Sequence, residues 1–369
     1  MRIGLETTWI NVPDGGGRYT NEIVRNLCTF FPEHEFFAVG PTPHQNHDYP
    51  NLTQVPFPDT VGLKARFSYT FRTAPILKKL SLDLYHILVN FGIYSAPCPV
   101  VTTVHDLLTL KYPELRSKKI HWWLYRYYVP SLVKKADSVI AVSNRTADDL
   151  TEHFGLSNVH AIHHGYNRVL FSPEPDDDSG ILEQYGLQPG YLMFVGNLIP
   201  KKNVEVIVHA LHKIRKRGVI GTKLVLVGKR GHGLGDMFRY IERHSLSDDI
   251  IELGYVPDEH LGSLYRQAFL FLFPSRYEGF GFPVIEAMAC GTPVLVSNAG
   301  PLPELVENED YMCSPDSVDD WAEKIIRFQQ DAPFHSVARS FCLARAQQFS
   351  WEQCVREYME IYESNLDNT

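Results

Sequence analysis

The sequence predicts an α/β protein built as two parallel-sheet domains facing a central cleft, and three observations carry that prediction. The chain has 369 residues, more than one hydrophobic core usually serves, so two domains are the default expectation. Apolar, strand-like runs alternate with helix-like segments almost throughout, the pattern of parallel sheets crossed over by helices. Near the middle, Phe171-Ser-Pro-Glu-Pro-Asp-Asp-Asp-Ser-Gly interrupts that alternation with two prolines and an acidic run, and reads as a linker. The expected division is therefore 1–172, 173–349 and a closing helix within 350–369. Ligands of such sheets bind beyond the carboxyl ends of the strands.

In the first half, the runs at 2–5, 35–39, 84–89, 99–104 and 138–142 read as strands. The last three are rich in Val, Ile and Leu, as strands buried on both faces must be. Helices are expected near 18–31, 64–80, 118–135 and 144–154. The first strand leads into Asp14-Gly15-Gly16-Gly17. Consecutive glycines expose backbone N–H groups to a phosphate just ahead of a helix start at Arg18; a flexible surface turn is the alternative. The run is not Gly-x-Gly-x-x-Gly, so it gives no support to nicotinamide-dinucleotide binding.

The second half repeats the pattern. Tyr191-Leu-Met-Phe-Val, Lys223-Leu-Val-Leu-Val, Ile250-Ile-Glu-Leu, Phe269-Leu-Phe-Leu-Phe and Val294-Leu-Val read as strands. Their helices are expected near 203–217, 234–245, 258–267, 283–290 and 317–330. Ser350 with Gln353 three residues on has the form of a capping box, opening a final helix over 351–365.

Composition narrows the function. Hydrophobic residues are 44% and charged residues 21%, as in ordinary soluble globular proteins. No apolar run approaches the roughly 18 residues a membrane span needs, and Met-Arg-Ile-Gly-Leu-Glu reads as a strand rather than a secretory signal. The six cysteines are scattered, which argues for a reducing compartment and against structural zinc. A cytoplasmic protein is expected. The net charge is −8, which disfavours nucleic acid as a partner. Residues 1–172 carry 17 basic and 14 acidic side chains, and 173–369 carry 18 and 29, so the first half is mildly basic.

The most specific chemistry lies in Ser275-Arg-Tyr-Glu-Gly-Phe-Gly-Phe-Pro-Val-Ile-Glu-Ala-Met-Ala-Cys-Gly-Thr-Pro. It follows a buried strand and opens a helix at Pro283, a residue favoured in the first turn. Gly279 and Gly281 let the N–H groups ahead of that helix face a ligand, with Phe280 and Phe282 between and after them. Glu278 sits in the loop and Glu286 one turn inside the helix, so the two carboxylates can address opposite ends of one polar ligand. A carboxylate accepts hydrogen bonds from paired sugar or ribose hydroxyls. Two solvated acids at a helix start are the bland alternative.

This stretch resembles the Glu-x7-Glu signature of retaining glycosyltransferase family 4. The likeness runs along nearly the whole chain. It takes in the glycine loop, Thr103-Val-His105-Asp106-Leu, Ala141-Val-Ser143 and His164-Gly165-Tyr166-Asn167. It continues through Phe194-Val-Gly196, Lys201-Lys202-Asn203, Val227-Gly228-Lys229, Gly254-Tyr-Val256 and Gly300-Pro-Leu-Pro-Glu304. The resemblance implies the GT-B fold: two Rossmann-like domains around a cleft, with the C-terminal helix crossing back to the N-terminal domain. It implies transfer of a hexose, with retention, from a nucleoside-diphosphate sugar to a glycan or lipid-linked acceptor, without cofactor or metal. Family prevalence favours UDP-glucose over GDP-mannose. By the same resemblance Glu278 holds the donor sugar's hydroxyls, Glu286 the ribose, and the backbone at 279–282 the sugar and phosphates. Lys202 neutralises the departing diphosphate, Gly16 and Gly17 touch the diphosphate or the acceptor, and His105 lies near the reacting carbon. Lys229 and Val256 fall in donor-binding loops. One departure matters: the family often has Arg after the glycine at 196, and this chain has Asn197. Lys229 or Arg230, in the next loop, is expected to supply the missing charge. Asp176-Asp177-Asp178 superficially resembles an Asp-x-Asp metal site, but beside two prolines it reads as solvated charge.

Two stretches free of acids, 60–82 and 115–136, carry Lys64, Arg66, Arg72, Lys78 and Lys79, and Arg116, Lys118, Lys119, Arg126, Lys134 and Lys135. The second is interleaved with Trp122, Trp123, Tyr125, Tyr127 and Tyr128. Such composition suits docking on an anionic inner membrane face; core aromatics with solvated lysines are the alternative. Among rival functions, a sugar-nucleotide epimerase shares the architecture but needs further acid and base residues. A non-catalytic sugar-binding protein has no use for phosphate-directed glycine loops and Lys202.

Overall fold

The computed structural model describes residues 1–44, 47–56, 73–89, 96–112, 127, 129–174, 178–219 and 222–367. They form two units, Met1–Gly165 with Ser350–Thr369, and Tyr166–Phe349.

The first unit holds a parallel sheet in the order β3-β2-β1-β4-β5-β6-β7. Its strands are β1 (Arg2–Glu6), β2 (Glu35–Gly40), β3 (Leu52–Pro56), β4 (Leu84–Ile87), β5 (Val100–Val104), β6 (Ser138–Ala141) and β7 (Val159–Ala161). The second unit holds β10-β9-β8-β11-β12-β13, again parallel. These are β8 (Tyr191–Val195), β9 (Leu224–Val227), β10 (Ile250–Gly254), β11 (Ala268–Phe273), β12 (Val294–Ser297) and β13 (Met312–Cys313). Each sheet runs outward in one direction and then restarts beside its first strand. The order reverses between β1 and β4, and between β8 and β11. At such switch points neighbouring loops diverge and leave a crevice at the carboxyl ends of the strands.

Central strands appeared in the sequence as apolar runs because helices cover both faces; Ile3, Leu5, Leu270 and Phe271 are fully buried. The edge strands β3, β7 and β13 were not expected. Each pairs on one side only, and Leu52-Thr-Gln-Val-Pro alternates polar residues into a half-exposed position. Helix Ala332–Ala346 was also unexpected. Pro333 stands in the first turn, where its missing N–H costs nothing, and the Asp331 carboxylate caps the Phe334 N–H at 2.9 Å.

The C-terminal helix Trp351–Asp367 belongs to the first unit, as the resemblance implied. Tyr358 and Tyr19 share a hydroxyl hydrogen bond of 3.1 Å, and Asn365 Nδ2 donates to Ser138 Oγ at 2.9 Å. Only half of the capping box forms: Gln353 N donates to Ser350 Oγ at 3.4 Å, but the Gln353 amide turns to Glu357. Gly165 packs against the start of this helix, and a Cβ there would lie 2.1 Å from Trp351 N and 2.6 Å from Ser350 C. Backbone cannot give way as a side chain can. Gly165→Ala is therefore expected to cost about 1–3 kcal/mol or more, read as a lowered thermal midpoint; an unchanged midpoint contradicts the packing.

The expected linker is placed differently. The division falls between Gly165 and Tyr166, and the following segment packs onto the second unit. Phe171 is buried with its ring 6.0 Å from that of Tyr265, and the Ser172 carbonyl accepts from Arg266 Nη1 at 3.1 Å. Asp178 is not solvated charge. It opens helix Asp178–Gln184 and accepts from Arg266 Nε at 2.9 Å and Gln267 Nε2 at 3.0 Å, with both members of the ion pair below a tenth exposed. Asp176 and Asp177 lie outside the described residues. So do 60–72 and 113–126, which held most of the expected membrane face; Lys78, Lys79, Lys134 and Lys135 are exposed. No helix among the described residues is long and apolar enough to cross a membrane.

Candidate active site

Of the second unit's candidate residues, Lys202, Glu278 and the 279–282 backbone lie on the loops after β8 and β11, at the switch point, whereas Lys229 and Val256 follow β9 and the edge strand β10. After β8 the chain turns at Gly196, whose φ of +147° suits glycine; a Cβ there would sit 3.4 Å from Lys202 Cε. A single turn, Pro200–Lys202, follows and ends at Asn203 in the left-handed region. The Asn203 side-chain amide donates to the carbonyls of Pro274 at 3.2 Å and Pro315 at 2.6 Å. The loop after β8 is thereby pinned to the loop after β11.

That pinning sets two ammonium groups on one carboxylate. Lys202 Nζ lies 2.7 Å from Glu278 Oε1, and Lys201 Nζ lies 3.6 Å from Oε2. Lys202 also rests on the face of Phe273, 4.7 Å from the ring centroid. Glu278 is 8% exposed. Burial alone would push its carboxyl up, but Lys201, Lys202 and the hydrogen bond from Lys202 hold it at about 2. Burial lowers Lys202, with the Glu278 charge pulling the other way. Glu278 is thus ionised at neutral pH.

Gly281 precedes helix Phe282–Ala289 at φ +137° and offers no side-chain cap. Pro283 carries no N–H and Val284 N donates to Gly281 O at 2.9 Å, so any backbone donor offered to an anion comes from residues 279–282 at the positive end of the helix dipole. The expected start at Pro283 is one residue late, and the proline remains within the first turn. Phe280 is buried and meets Phe282 edge-on at 5.4 Å, while Gly279 is half-buried. Glu286 is 2% exposed, and Tyr265 Oη donates to its Oε2 at 3.2 Å. Gly300 lies under the loop: a Cβ there would be 3.3 Å from Glu278 N.

Asn197 is exposed beside Gly196. The loops after β8 and β9 are joined, since Leu198 N donates to Lys229 O at 2.9 Å and Gly231 N to Leu198 O at 2.8 Å. Lys229 is exposed, with its ammonium 5.4 Å from the Tyr255 ring centroid. Arg230 is engaged elsewhere: it forks onto Glu252 with two bonds of 2.7 Å and covers Phe238 at 4.0 Å. Val256 is buried just after β10. Tyr265 and Lys201 were not among the expected site residues. Adjacent lysines in a βα loop give no sign of which points inward, and the Tyr265 contact spans 21 residues.

Gly16, Gly17 and His105 belong to the first unit, at the carboxyl ends of β1 and β5. The helix after β1 starts at Gly15 rather than Arg18. Asp14 Oδ1 accepts from Gly16 N at 2.9 Å and Gly17 N at 3.1 Å. A carboxylate therefore already takes two of the amides expected to face a phosphate. Gly17 has a packing reason as well, because a Cβ there would lie 1.9 Å from the Val12 carbonyl oxygen. His105 Nε2 donates to the Leu88 carbonyl at 2.9 Å, which makes Nδ1 the acceptor nitrogen. Burial pushes its pKa down, so the ring is neutral near pH 7.

The chain matches two family models, Glycosyltransferase Family 4 over residues 13–169 and Glycosyl transferases group 1 over 183–340. It is 33% identical over 268 residues to the O-antigen chain mannosyltransferase B of Escherichia coli, covering 71% of this chain and 69% of that protein. It is 24% identical to an MMP alpha-(1->4)-mannosyltransferase of Mycolicibacterium hassiacum, covering 99% of this chain and 98% of that one. Among solved structures, sucrose-phosphate synthase from Thermosynechococcus elongatus superposes with a TM-score of 0.82 over 100% of both chains at 21% identity. The chain belongs to glycosyltransferase family 4 and is a glycosyltransferase of the GT-B fold.

Proposed function

We propose that the protein transfers a hexose, with retention at the anomeric carbon, from a nucleoside-diphosphate sugar to a hydroxyl acceptor of a growing polysaccharide or lipid-linked glycan. The observation that carries this reading is the ionised, buried Glu278 held by Lys202 at the switch point, beside the uncapped start of helix Phe282–Ala289. Glu278 would accept from the donor sugar's hydroxyls and Glu286, steadied by Tyr265, from the ribose. The backbone at 279–282 would meet the sugar and phosphates. As the bond from the anomeric carbon to the diphosphate oxygen breaks, its electron pair stays on the diphosphate. The acceptor oxygen bonds to the same face of the carbon, and its proton passes to the departing diphosphate. Lys202 and the backbone N–H groups ahead of the helix stabilise the charge that accumulates there, the largest electrostatic task in the step. The lysine charge serves where a metal ion would otherwise be required. Roles for His105, Gly16 and Gly17 rest on the family resemblance, and Asp14 limits what the two glycine amides can bind.

Two relatives named as mannosyltransferases favour a mannosyl donor such as GDP-mannose; UDP-glucose has the family's prevalence behind it. A ligand that binds the native state raises its stability, so a thermal-shift screen of GDP, UDP and ADP sugars separates the two. The matching nucleotide sugar is expected to raise the midpoint, and Glu278→Gln to cut transfer by about 10² in kcat/KM. No stabilisation by any nucleotide sugar, or a Glu278→Gln enzyme as fast as the parent, would overturn the reading. Conversion of the donor without acceptor would reveal an epimerase instead.

A further inference from the structure

Asn197 brings no charge to a position where the fold's phosphate clamp calls for a second cation. We propose that Lys201 supplies it, pairing with Lys202 on the donor's diphosphate; the assignment rests on the reading of Glu278 and Lys202 as donor-site residues. Three observations point to Lys201 rather than to its neighbours. Its ammonium is 3.6 Å from Glu278 Oε2 while that of Lys202 is 2.7 Å from Oε1. One carboxylate thus holds two cations, and the cluster carries a net positive charge that Glu278 alone does not balance. Second, the Arg276 N–H donates to the Lys201 carbonyl at 2.9 Å. That bond fixes the residue against the loop after β11, the loop that carries Glu278. Third, the other bases of these loops are committed: Arg230 forks onto Glu252, and Arg276 Nη2 pairs with Asp316 at 2.8 Å. Lys229 stands exposed at the end of β9 over Tyr255.

When Glu278 turns to the sugar's hydroxyls, both ammonium groups lose their carboxylate partner together. A diphosphate carries enough charge and enough acceptor oxygens to take both. Lys201 and Lys202 have side chains only 17% and 14% exposed, so water substitutes poorly for the lost partner and the gain on phosphate is correspondingly large. A single lysine at this point would be neutralised by Glu278 before the donor arrives. The second keeps the site attractive to anions. It does the work of a forked arginine with two point charges, without the planar bidentate geometry.

The test is calorimetric titration of the full chain with GDP and with UDP, using the parent, Lys201→Ala, Lys202→Ala, Lys229→Ala and the double variant Lys201→Ala/Asn197→Arg. The parent is expected to bind one diphosphate. Lys201→Ala should weaken that binding about tenfold, with at most a small drop in the thermal midpoint of the free protein, because Lys202 still pairs with Glu278. Added Asn197→Arg should restore most of the affinity, a rescue that repair of packing at Lys201 cannot produce. Affinity retained in Lys201→Ala overturns the proposal, as does loss in Lys229→Ala alone or failure of Asn197→Arg to rescue. If the parent binds neither diphosphate, the donor-site reading itself fails and this assignment with it.

Discussion

Lys202→Ala is expected to lower kcat/KM for sugar transfer by about 10²–10³, the loss seen when one preorganised charge-stabilising donor is removed from a desolvated site. The lysine rests on Phe273 with its side chain 14% exposed, and it is already aimed at the carboxylate beside the proposed diphosphate position, so it needs little reorganisation at the moment of reaction. The same change touches stability. With Lys202 gone, burial acts on Glu278 against Lys201 and the Ser275 hydroxyl only, and its pKa rises from about 2. The sign follows from the folded value lying below the ordinary 4.5. In the parent, this stabilisation is present above the unfolded value and is lost as pH falls toward 2. In the variant the loss begins at higher pH. Kinetics at pH 7 with a parallel acid titration separate the two effects. A folded Lys202→Ala protein that transfers sugar at the parent's rate would end the assignment of this cluster as the donor site.

Much of this was legible beforehand because the chemistry is local. Glu278 to Glu286 spans one loop and one helical turn, so a single window of sequence contains the motif and the geometry that presents it. Both doubly covered sheets were legible for a similar reason: burial on two faces leaves continuous apolar runs such as Leu-Val-Leu-Val at β9. What escaped depends on contacts between distant residues. The Tyr265 hydroxyl reaches Glu286 from another helix. Asp178, set among prolines and acids, finds Arg266 and Gln267 some 88 and 89 residues away. Composition marked that segment as solvent-facing, and a partner that no local pattern announces buried it. The glycine turn shows a related limit. Its sequence suits phosphate binding, yet Asp14, the residue just before it, takes two of its N–H groups.

Arg266→Ala should be the most damaging single change to the fold of the second unit, at about 3–5 kcal/mol, because it strands a buried carboxylate. The Arg266 guanidinium ties Asp178, the Ser172 carbonyl and Ser263 Oγ together, and so holds Ser172 and helix Asp178–Gln184 to helix Asp258–Gln267. In the parent, burial pushes the Asp178 pKa up, but the Arg266, Gln267 and Ser263 hydrogen bonds outweigh it and hold the carboxyl below its ordinary range. That stabilisation is present above the unfolded value and is lost on acidification. Without Arg266, burial is opposed only by the Gln267 and Ser263 hydrogen bonds, so the folded carboxyl rises and less stability is lost on acidification. The variant's deficit should therefore shrink as pH falls toward 4, where Asp178 can be protonated. Replacing both partners with apolar residues, Arg266→Met with Asp178→Leu, removes the stranded charge and should recover much of the loss. Hydrogen exchange of helix Asp258–Gln267 in parent, single and double variants, at neutral and acidic pH, reads all three effects. A deficit below about 1 kcal/mol, or one that grows on acidification, would mean that the pair is no more than a surface contact and that the chain around Phe171 is held by its ring against Tyr265.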